Sequence, residues 1–336
     1  MSQAYLTANS YLGIMPEVTR GTLNVSGTPV YIPVTSPQVT EMQTFLRDEA
    51  LRGSPVTTVD QVPGVRHDEY DAKFYVYADT FPQFVKGVLG GTDTVTGTGP
   101  YTHNIKLLNN ASTGSQPQSY SIMDFDGANF FTMLGAQLDQ VELVAGAEVA
   151  SEATVKYIAN PYLSGTTPTA PFSTPSLSTV HMIPGWETAV AIAGNQLNYV
   201  SELTLTIARK TAPIFTMGNQ APYTNFAGPI EVSGKLTAVV PSQSDIFSTG
   251  TTGYALTRSP QTLNIVLTDP NDAVSSTPYS VAFLMTSAQF QNVKRTRGKA
   301  YTELEVEFTA SADVTDATTG YSPIQATIVN NTATAY

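Results

Sequence analysis

The side chains with the widest chemical repertoire in this chain of 336 residues are three histidines, His67, His103 and His181, and there is no cysteine beside them. Each stands alone among loop-like residues, with no second histidine at i+4. Without thiolates to complete a ligand set they do not make a transition-metal site, and each is read as a polar loop residue. Asp124-Phe125-Asp126-Gly127 begins like a calcium loop but lacks the remaining oxygen ligands and the closing glutamate, so it reads as a tight turn. Asp68, Glu69 and Asp71 offer paired carboxylates for acid–base work, yet a glycosidase pair comes from separate strands across a cleft and is not recognisable from local spacing. No G-x-S-x-G, Walker A or helix-opening G-x-G-x-x-G is present. The sequence therefore assigns no catalytic residue, no cofactor-binding residue and no metal ligand, and no cofactor is expected.

Acidic residues number 27 against 16 basic ones, a formal net charge of -11. That argues against a surface that wraps nucleic acid, because such binding neutralises phosphates with Lys and Arg. Hydrophobic residues make up 41% and aromatic ones 10%, enough apolar surface to offset the ordering entropy of a core. Only 13% are charged, against about 25% in ordinary domains. No basic segment precedes an apolar run at the N-terminus, and nowhere do about 18 apolar residues follow one another, so a soluble, non-spanning chain without an ordinary signal peptide is expected. With no disulfides, extra stability must come from packing or assembly.

The elements that would position these groups are mostly strands. Leu203, Leu205 and Ile207 alternate with Thr204 and Thr206, and Leu304, Val306 and Phe308 alternate with Glu303, Glu305 and Glu307, the period of half-buried strands. One helix is predicted over Phe81–Leu89, where Phe81, Phe84, Val85, Val88 and Leu89 share a face, Thr80 can cap the start and Gly90-Gly91 can end it. A second, shorter helix is placed at residues 241–249. The fold class is thus all-β with one or two short helices. Residues 161–184 carry many Pro, Ser and Thr and no charge, as expected of an extended, solvated linker between a domain at 1–160 and another at 185–336.

The two halves read as copies of one another. Residues 73–91 fall over 235–250, 104–108 over 264–268, 120–131 over 279–287, 135–141 over 287–293 and 151–159 over 302–310, in order and with offsets between 151 and 162. Within each half a strand pair flanks a long loop, at residues 51–70 and 212–229. In the first half a short helix ending Leu-Gly-Gly, a strand carrying His-Asn-Ile (103–105) and a strand pair with a Gly turn (138–158) follow. Through this pattern the chain resembles the major tail (tail tube) proteins of long-tailed bacteriophages.

The resemblance implies two tandem tail-tube-like β-sandwich or barrel domains in a structural, non-enzymatic subunit of the virion tail, assembled in the host bacterial cytoplasm. Its partners would be copies of itself, in rings of three chains with pseudo-sixfold symmetry stacked into a tube. The tape measure, tail terminator and distal tail proteins are further implied partners, as is double-stranded DNA in transit without specific binding; no membrane is implied. Glu142, Glu152, Glu303, Glu305 and Glu307 would face the lumen. Arg52, Pro55, Val56, Val62 and Val65 from the first long loop, and Pro213, Ile214, Phe215, Met217, Tyr223 and Phe226 from the second, would bridge rings. Lys294, Arg295, Arg297 and Lys299 would make charge contacts between subunits or rings. Read from the residues alone, the acidic strand is a solvated outer face sooner than a lumen wall, the loops can fold back on their own sandwich, and the basic segment can pair with the acidic strand in one hairpin. A virion binding module (tail fibre, adhesin or decoration protein) is the alternative function, and a β-fold polysaccharide-degrading enzyme a third.

Overall fold

A computed structural model describes residues 9–50, 52–166, 170–172, 175–176, 178–239, 259–297 and 301–336. In chain order the first half holds β1 (Tyr11–Pro16), β2 (Val30–Ile32), β3 (Ser36–Asp48), β4 (Asp60–Tyr75), α1 (Phe81–Leu89), β5 (Gly90–Thr96), β6 (Tyr101–Leu107), β7 (Tyr120–Phe125), β8 (Phe130–Gly146), β9 (Glu152–Ala159) and β10 (Leu163–Gly165). The second holds β11 (Thr188–Ile192), β12 (Asn195–Gln196), β13 (Val200–Ala208), β14 (Ala212–Ile214), β15 (Thr224–Phe226), β16 (Glu231–Val239), β17 (Gln261–Val274), β18 (Thr277–Thr296), β19 (Glu303–Ala310) and β20 (Gln325–Asn330). The class is all-β, with α1 the one α-helix among the described residues.

Eight strands form an unbroken antiparallel wall in the order β3-β4-β9-β8-β13-β16-β19-β18. The run β3-β4-β9-β8 from the first half and the run β13-β16-β19-β18 from the second have the same neighbour order, and β8 joins β13 between them. The long strands β8 and β18 each leave the wall at their N-terminal ends. There β8 pairs with β7 and β10, and β18 with β17 and β20. These ends, with β1, β2, β5, β6 and β11, build the layer that covers the wall, and β6 pairs with β20 across the halves. One continuous core of buried apolar side chains runs through both halves.

The wall strands obey the period-two rule: Leu203, Leu205, Ile207, Leu304, Val306 and Phe308 are all buried while their neighbours stay accessible. Helix α1 lies at its expected position and buries Phe81, Phe84, Val85, Val88 and Leu89 against the wall, each contributing about 1.5–3 kcal/mol relative to exposure. Gly90 ends it in the left-handed region at φ 73°, its N–H reaching the Lys86 carbonyl, and a Cβ at Gly91 would lie 1.8 Å from the Lys106 oxygen. The start differs from expectation. Thr80 already has helical backbone angles and its side chain makes no cap bond, its hydroxyl being buried without a hydrogen-bond partner. The second helix expected at 241–249 lies outside the described residues.

Two loop expectations are corrected. Residues 51–70 are not a twenty-residue loop, because the β3–β4 ladder runs on to Asp48 opposite Asp60 and leaves a turn only at 49–59. Pro63 and Gly64, which look like turn residues, lie in the ladder instead, Pro63 opposite Phe45 and Gly64 at the bulge opposite Thr44, where a missing N–H and a missing side chain are tolerated. Segment 161–184 is not freely solvated. Leu163 pairs with Thr132, Phe172 is buried against Met15 and Met123, and Ile183 is buried between bridges at Met182 and Pro184. A few apolar side chains in a Ser/Thr/Pro stretch are enough to pin it.

Candidate assembly surfaces

The wall has one face on the core and one face that is polar. Cross-strand registers carry rows across that polar face: Lys73, Thr154, Glu142, Thr206, Ser233, Thr309 and Gln289 make one, and Tyr75, Glu152, Val144, Thr204, Lys235, Glu307 and Gln291 the next. All five glutamates singled out by sequence, Glu142, Glu152, Glu303, Glu305 and Glu307, stand on this one face, brought together from β8, β9 and β19. Glu69, Asp71, Glu202 and Glu231 join them, against Lys73, Lys156, Lys235 and Lys294.

The lysines of this face are largely spent on carboxylates. Lys73 Nζ lies 2.7 Å from Glu152, Lys156 Nζ 2.8 Å from Glu69 and Lys235 Nζ 3.2 Å from Glu305. Asn292 donates to Glu307 at 2.5 Å. The hydrogen bond to Glu69 is the main reason the Lys156 ammonium titrates above its usual range. These partly exposed pairs each contribute about 0–1 kcal/mol, so their main effect is to leave the face patterned with a surplus of carboxylate.

The β3–β4 hairpin projects beyond β9 as an arm. Phe45 pairs with Pro63 and Leu46 with Val62, and Phe45, Leu46, Val56, Val59 and Val62 are all exposed. Of the expected stacking residues, Arg52, Pro55, Val56 and Val62 are exposed at or near the tip, with Arg52 paired to Asp48, while Val65 is half-buried in the ladder.

The second expected loop, 212–229, contains the β14–β15 hairpin and folds partly back on the first half. Gln220 accepts the Arg66 N–H at 2.9 Å, the Phe215 ring lies 6.1 Å from that of His67, and Asn225 is buried with its amide donating to Gly135 at 2.8 Å. Pro213 is half-buried, while Ile214, Met217, Tyr223 and Phe226 remain exposed, Met217 completely. Through the Arg66–Gln220 contact the two expected stacking regions lie side by side.

On β18, Lys294 stands opposite Glu305, Arg295 opposite Leu304 and Thr296 opposite Glu303, so Lys294 belongs to the polar face and Arg295 to the core face. Arg297 lies just past the strand, and Lys299 lies outside the described residues.

Several organising residues carry no sequence signal. His103 is not a loop residue: it is buried on β6, with Nδ1 2.7 Å from Asp93 and Nε2 2.9 Å from the Thr332 carbonyl. His67 lies on β4, and His181 meets Asp272 at 3.0 Å. Buried Glu17 accepts from the Gly21 and Gly135 N–H groups and from Ser119 and Ser121. Asp126 closes the β7–β8 turn through the N–H groups of Ala128 and Asn129, as expected of a tight turn. Among the described residues no group of three or more metal-ligating side chains occurs, and no helix is long and apolar enough to cross a membrane.

An antiparallel wall with one core face and one acid-rich polar face, and an apolar-tipped arm beside it, offers extended surface for contact. No curated protein matches the chain. The family model described as phage tail tube protein matches residues 7–310. The chain belongs to the phage tail tube protein family.

Proposed function

We propose that copies of this chain close into rings, that the rings stack into a tube, and that the polar face of the eight-stranded wall lines the channel through which double-stranded DNA leaves the virion. The observation that carries this reading is the wall itself: two four-strand runs with the same neighbour order, joined through β8 and β13, behave as two tube modules in one chain. Three chains then supply the repeat of a pseudo-sixfold ring, and internal duplication of the gene segment accounts for the repeated strand order.

A channel for DNA is served by walls that do not hold phosphate, and a surplus of carboxylate on the inner face supplies that. The exposed apolar arm tip and the neighbouring 212–229 segment are the surfaces for ring stacking, and other tail proteins would cap the tube at its ends. Electron microscopy of the purified protein at rising concentration, with native mass spectrometry of the smallest ring, tests the proposal. Hollow tubes and a three-chain ring are expected; discrete particles without a lumen would overturn it.

A further inference from the structure

We propose that the groove between the two halves beside Arg209 is a binding site for a small organic acid, a carboxylate on a slim apolar body, with the Arg209 guanidinium receiving the carboxylate. The groove is a cavity of about 480 Å³, within the roughly 300–1,000 Å³ of small-molecule sites. Leu107 and Leu108 line it from the first half, and Phe226, Pro229, Ile230 and Pro323 from the second. Among the described residues, Arg209 is the only charged one on the lining.

An unbalanced charge marks the groove as a site. Arg209 is only 3% exposed, yet none of the ion pairs among the described residues includes it. Its partners are backbone carbonyls: Nε reaches Val88 at 2.7 Å, Nη2 reaches Leu89 at 3.1 Å and Nη1 reaches Gly228 at 3.4 Å. Those bonds use three of the five N–H groups of a guanidinium, so each Nη keeps one hydrogen without a partner among the described residues. The carbonyls at a helix end carry about half a unit of negative charge between them, which offsets a full cation only in part. Burial alone accounts for the lowered pKa of the group, with no carboxylate acting to raise it. Buried charges in proteins are ordinarily paired, and a carboxylate accepting from the remaining N–H groups completes this one through charge-assisted bonds.

The rest of the lining specifies the rest of the ligand. Asn109 gives its amide to the Thr319 and Tyr321 carbonyls, each at 2.9 Å, and Gln116 donates to the Ala227 carbonyl at 3.0 Å while accepting the Ala227 N–H at 2.9 Å. With these amides spent, the walls around the guanidinium are mainly aliphatic and aromatic carbon. They suit an alkyl or aryl body and offer few partners to the several oxygens of a phosphate or a sugar. Because Arg209 is buried, the carboxylate must enter the groove, which a slim free acid does more readily than a short acidic side chain fixed on the surface of a partner. A bound acid contacts both halves and stabilises the folded chain by mass action.

Octanoate is the probe, with 1-octanol and octylammonium as controls of equal chain length, each titrated calorimetrically into the full-length protein at neutral pH. Octanoate should bind at least about tenfold more tightly than octanol, and octylammonium should not bind. Octanoate should also raise the thermal midpoint. Ala312 is exposed on the groove lining, so Ala312→Trp should weaken octanoate binding at least about tenfold by filling the groove, while the thermal midpoint of the free protein stays where it was. Equal affinity for octanoate and octanol would overturn the pairing with Arg209. Octanoate binding that Ala312→Trp leaves unchanged would overturn the groove as the site, and no saturable binding of octanoate at millimolar concentration would overturn the proposal as a whole.

Discussion

The guanidinium of Arg209, at the end of β13, reaches across the halves to the C-terminus of α1, with Nη2 3.1 Å from the Leu89 carbonyl oxygen and Nε 2.7 Å from that of Val88. A third bond goes to Gly228, and the side chain is buried. Burial lowers its pKa to about 10, so it stays charged at neutral pH and stabilises the negative end of the helix dipole. The helix of one half is thereby closed by the other.

Arg209→Met should therefore cost about 1–3 kcal/mol, the penalty for leaving the Val88 carbonyl without its donor, since Leu89 keeps the Leu108 N–H at 2.9 Å. The check is the urea midpoint of the unassembled protein. Loss of less than 1 kcal/mol would mean water replaces the guanidinium and that the cross-half cap is unimportant.

Two buried carboxyls give a pH dependence. Asp68 is pushed up to about 6 by burial, against the opposing bond from the Tyr162 N–H, and Asp124 to about 6 by burial and the nearby Asp126 charge. Between the unfolded value near 4 and about 6 the folded chain holds protons that the unfolded chain has released. Stability from these groups is therefore present at acid pH and lost as pH rises through that window. For Asp124 the loss is about 1.4 kcal/mol for each tenfold difference in proton affinity between the folded and unfolded chain, and for Asp68 it is less, because solvent screens part of the effect. Asp68→Asn with Asp124→Asn should flatten this fall in denaturation series between pH 4 and 7; an unchanged slope would assign it to other carboxyls.

Much of this architecture is legible because it rests on side-chain period. Phe81, Phe84, Val85, Val88 and Leu89 announce α1 to the residue, and alternation in Leu203–Ile207 and Leu304–Phe308 identifies two wall strands. The arm is not legible, because Pro63 and Gly64 have the chemistry of a turn and only the opposing Phe45 and Thr44 make them a ladder position and a bulge. His103 looks like a loop residue for a related reason. Its partners, Asp93 and the Thr332 carbonyl, are brought to it by long-range pairing that no local window contains. The acidic residues stand out singly, but that five of them share one face depends on cross-strand register, which sequence spacing does not set.

Replacing residues 49–59 with Asn-Gly tests the arm. Asp48 and Asp60 are ladder partners, so a two-residue type I′ turn joins them without disturbing the strands. Thermal stability should change by no more than about 0.5 kcal/mol, as for surface changes generally, and rings should still form. Tubes should not, because Val56 and Val59 go with the tip. Sedimentation and microscopy distinguish the two outcomes, and tubes of ordinary length would exclude the tip from stacking.

The last prediction concerns the polar face and needs a substitution that changes its charge without breaking an ion pair. Glu305 and Glu152 are unsuitable, since each is paired to a lysine, and Glu307 stands directly opposite Lys235. Glu142 faces Thr154 and Thr206 and accepts from the Gln140 amide, a neutral partner, at 3.3 Å. Glu142→Lys should therefore leave folding and tube growth intact while adding cations to the polar face at every repeat. Phosphates passing them would be held by counterion release, so DNA ejection from particles carrying the variant should slow at about 50 mM salt and recover toward the ordinary rate near 200 mM, because such attraction weakens steeply with salt. Glu142→Gln should show a smaller slowing. Ejection that is equally fast for all three proteins at both salt concentrations would put this face on the outside of the tube, with the core of the wall and the covering layer turned toward the channel.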